Sequence, residues 1–262
     1  MTTRKIPDLS KARVLISNDD GINAPGLKVL EHAIRGLAKE VIVVAPETEN
    51  SGAGHALTLQ RPLRIRKISR NRYAVDGTPT DCVLLAINEI LGGEPPDLVL
   101  SGVNRGGNIG DDVTYSGTVA VAMEATILGA PAIAFSQDKA DGATHVHWPT
   151  AEHWIPKILK RLKGHEIPIS TLINVNFPDR ALKDVNGIVV ARQGARKTGD
   201  AIQQGTDPRG RPYYWIGWQR QEVLYRSGTD LHAMDEGMIS ITPLTIDLTD
   251  TRMMKTLKDV FK

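Results

Sequence analysis

One stretch constrains the fold of this chain more than any other: Arg13-Val-Leu-Ile-Ser-Asn-Asp-Asp-Gly21. Val14, Leu15 and Ile16 form a short unbroken apolar run, the pattern of a strand buried on both faces of a parallel sheet. The run stops at Ser17, and Asn18, Asp19, Asp20 and Gly21 follow. Adjacent carboxylates repel, and the end of a buried strand is partly desolvated, so the pair is costly there. A bound cation removes both penalties, and carboxylate oxygens suit a hard ion such as Mg²⁺ or Mn²⁺. Successive strand side chains point to opposite faces, so both Asp reach one ion only if the chain curls, which Gly21 permits. Asn-Asp-Asp-Gly is also ordinary turn composition, and taken alone the stretch reads as a solvated turn. The rest of the chain decides between the two.

The 262 residues leave room for one large domain, or one domain with an appendage, and 41% apolar content suffices for a full core. A net charge of +2 points to neither nucleic acid nor an acidic partner. The single cysteine, Cys82, excludes an internal disulfide and fits a reducing compartment. No apolar run approaches the roughly 20 residues of a membrane span, and the N-terminus has basic residues but no apolar stretch behind them. These features predict a soluble, cytoplasmic protein.

Leu27, Leu30, Ala33, Ile34 and Leu37 recur at helical spacing, and Val41 to Ala45 is a second buried strand. Strand, helix, strand implies a right-handed parallel unit. Pro46 to Gly54 is small, polar and flexible. It reads either as a mobile surface loop or as a loop at the C-terminal edge of the sheet, where open α/β sheets bind ligands. Leu63 to Ile68 and Arg72 to Val75 read as a hairpin or edge pair. Asp76-Gly-Thr-Pro-Thr80 opens a helix to about Leu91, with Thr78 as N-cap and Pro79 in the first position; capping alone explains that segment. Asp97 to Ser101 is the next buried strand.

The second informative stretch runs from Ser101 to Thr118, a polar, glycine-rich loop that leads into a helix over 119–128. Exposed N–H groups and a helix dipole favour an oxyanion there, and Ser116 and Thr118 add hydroxyl donors. A loop this long in a compact domain is more often functional than idle. It is neither GxGxxG nor a Walker loop. Pro131 to Ser136 is another strand. His145, His147 and His153 follow, and with no Cys or paired carboxylate nearby they read as surface histidines. A helix over 150–162 and strands at Leu172 to Val175, Ile188 to Ala191 and Gly237 to Pro243 complete the core. Residues 192–224 read as a projecting β-hairpin excursion, aromatic at Tyr213, Tyr214, Trp215 and Trp218, and 245–262 as a C-terminal tail ending in a helix. Exposed aromatics suit a subunit interface, and a local mini-core is the alternative.

Several motifs in one order give the chain a resemblance to a known family. Ser17-Asn-Asp-Asp-Gly21, Ser51-Gly-Ala-Gly54 with Leu57-Thr-Leu59, Gly77-Thr-Pro-Thr-Asp-Cys82, Ser101-Gly-Val-Asn-Arg-Gly-Gly-Asn-Ile-Gly110, Tyr115-Ser-Gly-Thr-Val119 and Ser240-Ile-Thr-Pro-Leu244 resemble the SurE family of stationary-phase survival proteins, metal-dependent nucleotidases. The resemblance implies a single α/β domain over 1–262: a three-layer, Rossmann-like, mostly parallel sheet. It implies that Asp19, Asp20, Ser51 and Asn104 hold one divalent cation per subunit, Mg²⁺ or Mn²⁺. It places Asn108, Ser116, Gly117 and Thr118 around a phosphate, and gives Asp19 and Asp20 the catalytic role. The implied reaction is hydrolysis of nucleoside 5′-monophosphates by metal-activated water, with 3′-monophosphates and short polyphosphate left open. The implied assembly is a homodimer or homotetramer. His55 stands where the family often has a small polar residue, and Met1 to Lys11, which extend beyond the usual start, receive no role. A non-catalytic nucleotide-binding regulator is the rival reading. A haloacid-dehalogenase-type phosphatase ranks low, because it needs Asp-x-Asp and here the carboxylates are adjacent.

Overall fold

Val14 and Ile16 face one side of the central sheet and Leu15 the other, and all three are fully buried. That alternation is possible because helices cover both faces. In the computed structural model, which describes residues 2–140, 142–196, 201–217 and 226–262, the elements follow in this order. They are β1 (Thr3–Lys5), β2 (Arg13–Ser17), α1 (Pro25–Ile34), β3 (Glu40–Pro46), β4 (Ile65–Ser69), β5 (Arg72–Val75), α2 (Pro79–Leu85), β6 (Leu98–Arg105), α3 (Gly117–Ile127), β7 (Ala132–Gln137) and α4 (Trp148–Leu162). Then come β8 (Glu166–Pro168), β9 (Thr171–Phe177), β10 (Ile188–Val190), β11 (Ala201–Thr206), β12 (Pro212–Gly217), α5 (Asp230–Asp235), β13 (Ile239–Thr245) and α6 (Thr251–Val260).

Nine strands form one sheet in the order β10-β13-β9-β7-β6-β2-β3-β5-β4. From β9 through to β5 every pairing is parallel. β4 and β13 join antiparallel, and β10 pairs parallel with β13. Helices α1 and α4 pack their apolar stripes, Leu27, Leu30 and Ile34 with Ile155, Ile158 and Leu159, on one face. Helices α2 and α3 cover the other through Cys82, Val83, Val119, Val121 and Ala122. The chain thus forms a three-layer α/β fold. After β2 the chain moves outward through β3, then returns to the opposite side of β2 with β6. The C-terminal ends of β2 and β6 therefore flank the switch point, the place where open α/β sheets leave a crevice for ligands.

Several elements differ from the sequence expectation. The N-terminal residues given no role contain β1, which pairs antiparallel with β8, and Ile6, which is buried in the core under α1 and α4. Three-residue strands leave no periodicity to read. The helix expected to reach about Leu91 is α-helical only to Leu85 and continues as a π-helical turn over Ala86–Ile90, with Leu91 N–H donating to Ala86 O at 2.9 Å. Helix α5 was not foreseen; its six residues are too short to show a pattern, although Thr229 caps it by accepting from His232 N–H. Strand β6 runs on through Ser101 to Arg105, with an irregularity between Ser101 and Asn104. Gly102 there has φ +119, and a Cβ on it would lie 2.2 Å from Phe135 O, so no other residue fits the approach of β7. β11 and β12 form a separate two-stranded antiparallel sheet. Trp218 and the rest of the expected excursion to residue 224 lie outside the described residues, as do residues 197–200.

Candidate active site at the switch point

The strand β2 delivers Asp19 and Asp20 to the sheet edge, and Gly21 makes the curl. Its φ is +99, and its Cα packs so close to the next loop that a Cβ would lie 3.2 Å from Thr48 C. Asp19 is only 4% exposed. Its carboxylate accepts a hydrogen bond from Thr118 Oγ1 and another from the Thr118 backbone N–H. Burial nevertheless pushes its pKa above the ordinary value, because desolvation outweighs those two bonds and the one from its own backbone N–H. Asp20 is half-buried and accepts from the Arg105 backbone N–H; burial and then the charge of Asp19 push its pKa up to about 7. Both carboxylates are therefore held where their charge is disfavoured, which is the state a cation relieves.

Ser51 arrives on the loop after β3, and four contacts fasten that loop. Asn50 N–H donates to Asp19 O at 2.8 Å, and Gly54 N–H to Tyr115 O at 3.1 Å. Thr78 Oγ1 donates to Ala56 O at 2.7 Å, and Thr58 N–H to Asp81 Oδ1 at 3.0 Å. Asp81 is the N3 residue of the capping box that starts α2, its Oδ2 accepting from Thr78 N–H at 2.8 Å. The segment that capping alone explained also holds the Ser51 loop, through the second oxygen of one carboxylate. His55 adds a further tie, Nε2 to Glu124 Oε2 at 2.8 Å, on the buried side of α3. Ser51 Oγ donates to Glu49 Oε1 at 2.9 Å.

Asn104 sits at the end of the extended β6, beside β2. Its Nδ2 donates to Gly106 O at 2.9 Å, which leaves Oδ1 to serve as a ligand atom. Asn108 is turned into the protein. Its Nδ2 donates to Ser136 Oγ and its N–H to Asn176 Oδ1, both at 2.8 Å, while its carbonyl accepts from Asn174 and Asn176 side chains. Those contacts pin the glycine-rich loop to the ends of β7 and β9. Asn174 and Asn176 alternate inside an apolar strand, so they share a face; that pairing was the signal for the anchor. Ser116 is the N-cap of α3, its Oγ accepting from Val119 N–H at 3.0 Å. Gly117 packs directly on Asp19, and Thr118 gives its hydroxyl to Asp19. The helix start that reads as an oxyanion cradle is thus already used on one side by the Asp19 carboxylate.

A cavity of about 420 Å³ opens beside these groups, lined among others by Asp20, Glu49, Ser51, Arg105, Lys139 and Trp148. Sequence reasoning missed Glu49, Arg105 and Trp148; their neighbourhood arises only from folding. His145 and His147 stand edge to face with ring centroids 5.0 Å apart, and His147 Nε2 lies 3.7 Å from Asp179 Oδ1. Among the described residues no three His, Cys, Asp or Glu side chains form a metal set. The sequence-predicted ligand set does not need one, since two of its four members are a hydroxyl and an amide. That set is all oxygen and includes two desolvated carboxylates, so it fits Mg²⁺ or Mn²⁺ and not a softer ion.

Fold and site together define a doubly covered α/β protein whose switch point carries paired carboxylates against a helix N-terminus. The chain belongs to the SurE family: the family model for Survival protein SurE matches residues 14–200. It is 58% identical over 261 residues to the 5′-nucleotidase SurE of Paramagnetospirillum magneticum, spanning all of both chains. It is 52% identical to the 5′-nucleotidase SurE of Rhodospirillum rubrum, over 98% of each chain. The crystal structure of SurE protein from Aquifex aeolicus superposes with a TM-score of 0.82 at 42% identity, over 95% of this chain and 100% of that one.

Proposed function

We propose that the chain is a divalent-metal-dependent 5′-nucleotidase, hydrolysing nucleoside 5′-monophosphates to nucleoside and phosphate, with 3′-monophosphates and short polyphosphate as further substrates to test. The observation that carries this reading is the pair Asp19 and Asp20, desolvated at the switch point with Asp19 locked to the start of α3. The shared name of relatives at 52–58% identity supports the same activity. Asp19, Asp20, Ser51 and Asn104 would hold the ion. When bound, it supplies Lewis-acid polarisation of the phosphoryl group and acidifies water at the site. Asp19 or Asp20 takes the proton of an attacking water; that Asp20 lines the cavity while Asp19 is enclosed by Thr118 and Gly117 supports Asp20 in this role. The Ser116 hydroxyl and the Gly117 N–H donate to the phosphate oxygens at the helix start, and Thr118 acts there by holding Asp19. Asn108 keeps the loop around the phosphate in shape.

Phosphate release from nucleoside 5′-monophosphates with Mn²⁺, then with EDTA, tests this. Release that persists in EDTA overturns the metal requirement, and nucleotide binding with no release favours the regulatory alternative.

Assembly is the second part of the proposal. Ile202, Tyr213, Tyr214, Trp215 and Ile216 are exposed on β11 and β12, and Met253, Met254, Leu257, Val260 and Phe261 are exposed on and just after α6. A two-stranded ribbon and an amphipathic helix whose apolar side chains are uncovered among the described residues favour a homodimer or homotetramer. A monomer of 28.6 kDa by light scattering at micromolar concentration would exclude it. Among the described residues no helix is long and apolar enough to cross a membrane, and the lone Cys82 is buried and free, which supports a cytoplasmic setting.

A further inference from the structure

We propose that Glu49 is a positioning residue for the ion site, acting as the proton acceptor that turns the Ser51 hydroxyl oxygen toward the cation. The inference rests on the ion-binding reading above. A neutral hydroxyl that ligates a cation presents a lone pair to the ion, and its proton must then be given to another acceptor. Ser51 Oγ donates to Glu49 Oε1 at 2.9 Å, so that acceptor is already engaged. Glu49 is delivered to this place by the backbone. A Cβ on Gly21 would lie 3.2 Å from Thr48 C and 3.5 Å from Glu49 N, so the curl leaves no room for a side chain against this loop, and Asn50 N–H is bonded to Asp19 O at 2.8 Å. Glu49 lines the same cavity as Asp20 and Ser51, and its charge acts on both Asp19 and Asp20. Among the described residues it does not complete a set of three carboxylates around one ion. Its route to the ion is therefore through Ser51, the arrangement in which an outer partner orients an inner ligand. The exposed position of Glu49 means that the core does not depend on it.

The test is Mn²⁺ titration by calorimetry on the metal-stripped full-length protein and on S51A, E49A, E49Q, E49A/S51A and D19N. Loss of an orienting partner weakens metal affinity by about 10–100-fold. The expected result is that S51A and E49A each weaken Mn²⁺ binding and that the double variant is no weaker than S51A alone. E49Q keeps an acceptor oxygen and falls between wild type and E49A. Losses that multiply in the double variant, or wild-type affinity in E49A, overturn the assignment of Glu49 while leaving the ion site intact. Wild-type affinity in D19N overturns the ion site itself, and the two failures are thereby told apart.

Discussion

Replacing Gly117 with alanine sets helix propensity against site geometry. Gly117 is the first residue of α3, where alanine is favoured over glycine by at most about 1 kcal/mol, the value for a helix interior. Propensity alone therefore predicts a more stable protein. A Cβ at Gly117 would lie 2.6 Å from Asp19 Cβ, 2.9 Å from Asp19 Oδ2 and 3.0 Å from Pro79 Cγ. Carbon atoms pack at about 3.5–4.0 Å, so close to 1 Å of space has to be made. Asp19 cannot yield it cheaply. Its carbonyl is bonded to Asn50 N–H and its carboxylate to Thr118, and β2 behind it is paired on both sides. Overpacking costs about 1–3 kcal/mol, more than the propensity gain. The expected net loss is about 1 kcal/mol, or roughly 2–4 °C in Tm for a chain of this size. The larger effect falls on the site, where a displacement of about 1 Å can lower the rate ~10²-fold. The assays are thermal melting in EDTA and kcat/KM on a nucleoside 5′-monophosphate at saturating Mn²⁺. A Gly117→Ala variant with a raised Tm and wild-type kcat/KM would refute the reasoning.

Asp19→Asn removes a desolvated charge while keeping an oxygen for Thr118, so the metal-free protein should melt higher, and both the Mn²⁺-induced rise in Tm and most of the activity should vanish; wild-type kcat at saturating Mn²⁺ sinks the assignment. For the metal-free protein, the raised pKa of Asp20 means that the folded state holds its proton more tightly than the unfolded chain. Stability in EDTA should therefore fall as pH rises from about 4 to about 7, and Asp20→Asn should flatten that slope; chemical denaturation across the range would show it. His55→Ala leaves the buried Glu124 carboxylate without its ring partner and should cost about 1–3 kcal/mol in denaturant, with His55→Gln restoring part of the loss by keeping a donor. Equal losses in the two variants would show that packing, not the hydrogen bond, holds the loop.

The legible parts of the site are those carried by local chemistry. Asp19 and Asp20 stood out because two carboxylates at a strand end conflict with burial unless something compensates. Ser116 reads as a hydroxyl donor at a helix start; the structure makes it the N-cap of α3, accepting from Val119 N–H. Thr118 was legible as a polar residue at a helix start but not as the donor to Asp19, since that bond joins residues 99 positions apart. Thr78 was legible as a cap, but the Asp81 carboxylate that completes its capping box also serves the Ser51 loop, accepting from Thr58 N–H 23 positions back. Asn108 reads as a loop residue open to a phosphate, whereas its amide is spent on Ser136.

Local sequence pattern dictates the alternation of buried strands and covering helices, the two-faced burial of β2 and the identity of the groups at its end. Apolar periodicity and capping act over a few residues, so they can be read along the chain. Tertiary structure alone decided that β6 returns beside β2, that Asn104 is carried out on an extended strand, and that the loops bearing Ser51 and Glu49 fold onto Asp19. It also found work for the N-terminal residues in β1 and the core. Those outcomes depend on which strand pairs with which and on backbone approaches such as that of Gly21 to Thr48. Pairing energies of that kind are set between distant segments, and no local pattern encodes them.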